Sequence, residues 1–105
     1  MAWVILVIGG LFEVVWAFAM KQSNGFTRLW PSAIAVAGVI LSLGLLSWSM
    51  RTLPLGTAYM VWTGIGAVGA FAVGILILGE PANPMRLVAA LLILSGLVLM
   101  KLATP

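Results

Sequence analysis

Charge is almost absent from this chain, and where it occurs it divides the sequence into long apolar runs. Five residues of 105 are basic, two are acidic, and 64% are hydrophobic. Soluble domains carry roughly 25% charged residues, so this composition belongs to a membrane protein. A helix needs roughly 17–25 apolar residues to cross the hydrocarbon layer. Four runs qualify, over about 3–20, 31–50, 55–78 and 84–101, and together they form a single all-α transmembrane domain spanning 1–105. The fourth has the shortest uncharged centre, but Arg86 and Lys101 can snorkel to the two surfaces from its ends. The first run has no basic leader and no small-residue cleavage pattern before Lys21, so it reads as a retained span rather than a signal peptide.

The breaks between runs carry turn chemistry. Asn24-Gly25 lies in the first connection and Pro54 ends the second. Pro31 suits the first turn of the second helix, where its missing N–H is no loss. Gly79-Glu80-Pro81 stops the third. Trp3, Trp30 and Trp48 lie near run ends, where interfacial aromatics belong.

Several function classes are excluded at this level. Cys and His are both absent, which removes disulfides, thiolate metal sites and the usual proton shuttle. No metal site or cofactor is expected. The basic residues are scattered singly, which reads as interfacial anchoring and not as a nucleic-acid patch. The glycines of Gly64-Ile65-Gly66 lie inside an apolar run, so a phosphate cradle is a poor reading, and no enzyme chemistry is expected.

Glu13 is the exception that points to function. It is the one acid inside a run, and a carboxylate at such depth costs a few kcal/mol to insert, about 3 on translocon scales. Residues of this kind mark ion or substrate pathways; the bland alternative is a structural Glu bonded across helices. Helical spacing puts Gly9 or Gly10, Glu13, Trp16 or Ala17, and Met20 on one face. Tyr59, Trp62, Thr63 and Gly66 share a face of the third helix, and aromatic rings beside a carboxylate make a cation site. The bland alternative is that these rings simply pack. Ser42, near the middle of the second helix, is placed to bond either the Glu13 carboxylate or its own i−4 carbonyl. Gly66, Ala70 and Gly74 form a series of small residues that permits close helix approach. Glu80 is a loop residue near Arg86, solvated or surface-paired.

Charge does not choose an orientation. Four crossings put Arg51 and Lys101 on one side and Lys21, Arg28 and Arg86 on the other. Either other cues fix one orientation, or the chain inserts both ways and opposite copies pair into an inverted repeat.

The chain closely resembles the small multidrug resistance family of proton-coupled exporters, and within it the guanidinium-exporter subtype. The resemblance rests on Phe12-Glu13-Val14-Val15-Trp16-Ala17, on Gly25-Phe26-Thr27-Arg28-Leu29-Trp30-Pro31-Ser32, on Leu53-Pro54-Leu55-Gly56-Thr57-Ala58-Tyr59, on Val61-Trp62-Thr63-Gly64-Ile65-Gly66-Ala67 and on Gly79-Glu80-Pro81. It implies a multi-pass protein of the bacterial inner membrane, acting as an antiparallel, dual-topology homodimer. It also implies that Glu13 of each copy binds protons or substrate in competition, that Gly10, Trp16, Ser42, Tyr59 and Trp62 line the site or hydrogen-bond around Glu13, and that the fourth helix carries much of the dimer contact. Guanidinium fits such a site because its flat array of N–H donors pairs with carboxylate oxygens. Met60 stands where relatives often have a small residue. Two alternatives remain: an exporter of quaternary ammonium or aromatic cations, and a rotor-type or non-transporting proton-binding subunit, which the four spans argue against.

Overall fold

The computed structural model describes residues 1–104. Four helices follow in order: α1 (Ala2–Gln22), α2 (Leu29–Ser49), α3 (Leu55–Leu76) and α4 (Pro84–Ala103). There are no strands among the described residues. Each helix is long and apolar enough to cross a membrane. At 1.5 Å per residue, helices of this length reach about 30 Å, the depth of the hydrocarbon core.

Local chemistry sets the ends. α1 stops at Ser23, whose Oγ donates to Met20 O at 2.6 Å and accepts from the Phe26 N–H at 3.0 Å. Asn24, Gly25 and Phe26 then take positive φ values of +50°, +72° and +66°. Gly and Asn adopt this left-handed turn readily, whereas Phe26 does so uncommonly. α3 runs into Gly79, at φ +71°, and the Glu80 N–H donates back to Gly74 O at 3.0 Å. α4 opens on an Asn83 cap: its side-chain oxygen accepts from the Arg86 N–H at 2.9 Å, with Pro84 in the first turn.

Glycines decide how closely the helices pack. A Cβ at Gly38 of α2 would stand 2.7 Å from Trp16 Cβ, and one at Gly10 would stand 2.7 Å from Ile65 of α3. Gly69 receives Val14, and Gly64 receives Leu97 of α4. Small residues let apolar helices gain van der Waals contact that lipid cannot supply. The buried cluster is Leu6, Leu46, Ala58, Val61 and Trp62, drawn from α1, α2 and α3. The Cα envelope measures 43 × 34 × 17 Å, a slab so thin that each helix keeps an outward face. α4 is extreme: its backbone approaches only α3, and none of its residues is buried.

The ends of the slab carry the anchors. Lys101 Nζ sits 4.9 Å from the Trp3 ring centroid, joining the end of α4 to the start of α1. Arg51 lies over Trp48 at 5.8 Å on the same side, and Thr57 and Thr104 meet there at 3.3 Å. Trp30 is three-quarters exposed.

Candidate functional site

Glu13 projects from the middle of α1 onto α3. Its carboxyl group occupies the space in front of Gly66, so close that any side chain at 66 would overlap it. Glycine is required there by this approach, not by backbone conformation. The Oε2 atom of Glu13 is buried and has no hydrogen-bond partner in the chain. Buried polar atoms are nearly always satisfied, so within a single copy this oxygen is an exception.

One turn before Glu13, three helices are tied by a short chain of hydrogen bonds. The Trp62 indole N–H of α3 donates to Ser42 Oγ of α2 at 2.9 Å. Ser42 Oγ donates in turn to the carbonyl of Gly9 on α1 at 2.7 Å. Ser42 therefore makes neither of the two bonds its position in the sequence allowed. The reasons are steric and polar. Gly9 has no side chain, which brings α2 within reach of its carbonyl; a Cβ there would stand 3.3 Å from Leu45 Cβ. The Trp62 N–H is buried and requires an acceptor, which Ser42 supplies. In an α-helix the carbonyl at position 9 also faces the N–H of residue 13, so this chain of bonds grips the backbone that carries Glu13.

The other expected residues divide into near and far. Gly10 lets Ile65 approach and so sets the α1–α3 spacing beside Glu13. Trp16 is seated on Gly38, and its indole N–H is buried without a partner, the second such polar atom in the protein among the described residues. Tyr59 packs its ring 5.7 Å from that of Trp62, tilted by 32°, but half of the residue is exposed. It looks into an open groove of about 410 Å³ between α3 and α4, shared with Met60, Thr63 and Leu97. Within one copy, then, Glu13, Gly10, Gly66, Ser42 and Trp62 belong to the α1–α2–α3 packing, while Tyr59 and Thr63 face outward. Gly38 and Ile65 are contributors the sequence did not single out, and Gly9, already placed on the Glu13 face, acts through its carbonyl. The one available signal was a glycine inside an apolar run.

Known proteins place these features in a family. The model of the family described as Small Multidrug Resistance protein matches residues 1–93. A protein of Citrobacter freundii named Guanidinium exporter is 59% identical over 104 residues, covering 99% of both chains. Proteins of the same name from Escherichia coli strain K12 and Escherichia coli O6:H1 are 59% and 60% identical over the same length. Four apolar helices of spanning length, a deep carboxylate and similarity along almost the whole chain converge: the protein is a multi-pass member of the small multidrug resistance family of the bacterial inner membrane.

Proposed function

We propose that this chain exports guanidinium and related small guanidinyl cations in exchange for protons, as a homodimer of two oppositely inserted copies. The observation that carries the reading is the Glu13 carboxylate oxygen, buried at mid-helix with no partner in its own chain. Similarity to proteins named guanidinium exporter supports the choice of cation.

The chemistry follows from the residues. A guanidinium ion offers paired N–H donors to carboxylate oxygens, and a carboxylate near Gly66 can accept them without displacing a protein donor. The Trp16 ring, one turn along α1, offers a π-face to a cation. The Trp62–Ser42–Gly9 chain holds the α1 backbone and keeps the acid in register. A proton on Glu13 removes the charge that a cation needs, so the two ligands exclude each other. Opposite insertion would make two copies an inverted repeat that opens alternately to either side of the bilayer. The near-even basic balance and the uncovered α4 support that arrangement.

The test is uptake into liposomes containing only this chain. With the lumen more acidic than the medium, guanidinium is expected to enter as protons leave, with tetraalkylammonium ions moving poorly. Transport of the quaternary ammonium with none of guanidinium, or guanidinium flux without proton movement, would overturn the reading.

A further inference from the structure

Glu80 is the chain's other acid, and the exchange at Glu13 leaves it unused. It lies in the connection between α3 and α4, with its carboxylate against the backbone of Gly74; a Cβ there would stand 2.5 Å from Oε1. Glu13 and Glu80 are thus both seated on glycines of α3, Gly66 and Gly74, about two turns or ~12 Å apart along the helix. A crevice of about 150 Å³ lies between α1 and α3, lined among others by Val14, Ala70, Gly74, Lys21 and Glu80. Val14, itself seated on Gly69, lines it toward mid-helix, and Glu80 and Lys21 line it toward the helix ends.

Glu80 already holds a guanidinium group, that of Arg86. Arg86 Nη2 lies 3.5 Å from Glu80 Oε1, and Nη1 donates to the Pro81 carbonyl. The guanidinium carbon stands 5.0 Å from the Phe71 ring centroid. A carboxylate, a carbonyl oxygen and an aromatic face are the partners that a free guanidinium ion seeks. The Arg86–Glu80 contact is long, and both side chains are more than one-third exposed, so the pair is weak and exchangeable. Breaking it leaves the start of α4 intact, because Asn83 caps that helix independently.

We infer that Glu80, Phe71 and the Pro81 carbonyl form a surface subsite for guanidinyl cations at the α3–α4 connection, filled by Arg86 until a free cation displaces it. The inference rests on guanidinyl cations being the substrate.

The experiment uses the whole chain in detergent micelles with Glu13→Gln, which removes the inner carboxylate. Guanidinium chloride is titrated against sodium chloride at matched ionic strength while the Arg86 Nε–H and Phe71 ring NMR signals are followed. Saturable shifts of both signals with guanidinium alone are expected. Glu80→Gln should weaken that saturation by about tenfold or more, through loss of a charge-assisted pair. Arg86→Ala should tighten it, read at Phe71; if that variant fails to fold, the Arg86 signal of the parent chain decides. Shifts that match those in sodium chloride, do not saturate, or persist unchanged in Glu80→Gln would overturn the subsite. Because Glu13 is already replaced, failure of transport by the intact protein would sink the export reading without altering this result. Normal transport with a flat titration would sink the subsite alone.

Discussion

The carboxyl group of Glu13 on α1 fills the volume that a side chain at position 66 of α3 would need, so these two residues define each other's limits. A methyl group at 66 would force the acid aside or push the helices apart. Overpacking of this kind costs about 1–3 kcal/mol. Gly66→Ala is therefore expected to cut guanidinium uptake by roughly tenfold or more, with the helical circular dichroism signal retained. Uptake at the parent rate would show that Glu13 works from a different rotamer.

Glu13→Gln keeps the shape of the side chain and removes its charge. It is expected to abolish proton-coupled guanidinium uptake in liposomes while the protein elutes from size exclusion as the parent does. Coupled uptake at parental rates would remove Glu13 from the mechanism.

If protons and cation compete for one carboxylate, as proposed, the sign of the pH dependence is fixed. On that proposal the cation would bind only the ionised form, so guanidinium affinity should rise with pH through the Glu13 titration and then level. Below that range, binding should release protons. Calorimetry in buffers of different ionisation enthalpy counts them, and affinity that is flat with pH would exclude a shared site.

The two indoles near the site should respond differently to loss of their N–H. Trp62 donates to Ser42, whereas the Trp16 N–H has no partner in the chain. Ser42→Ala should destabilise the protein by about 1–3 kcal/mol, by orphaning a buried donor. Trp62→Phe should cost less when Ser42 is already Ala, a non-additivity that marks a shared bond. Trp16→Phe should leave stability almost unchanged and lower transport. Unfolding curves in mixed micelles read the stabilities, and strictly additive effects of the 42 and 62 changes would contradict the observed bond.

Insertion in both directions is testable through the connection that carries Arg51. Two added lysines there should bias copies toward one orientation and lower activity, and co-expression of an oppositely biased version should restore it. Full activity of the biased form alone would rule out the antiparallel arrangement.

The four-helix membrane fold was legible because charge is so rare that each basic residue or turn stands out, as Lys21, Asn24-Gly25 and Gly79-Glu80-Pro81 do. Glu13 stood out for the same reason. Pairings between helices were not legible. On a helix that is apolar all round, no face announces itself, so the sequence does not say that Ser42 will meet the Gly9 carbonyl or that Gly38 will seat Trp16. Those contacts depend on where missing side chains let backbones close in. The same holds for Gly74: the small-residue series suggested helix contact, yet Gly66 and Gly74 each receive an acid.

α4 stands beside α3 with no residue buried. Nothing inside the chain therefore demands that its far side be greasy, yet Leu91, Leu94 and Val98 are all exposed there. The pressure that keeps those positions apolar is exerted from outside the fold. Whatever meets that side, bilayer lipid or a second copy, polar changes there would be felt in insertion or association before they disturbed the contacts among α1, α2 and α3.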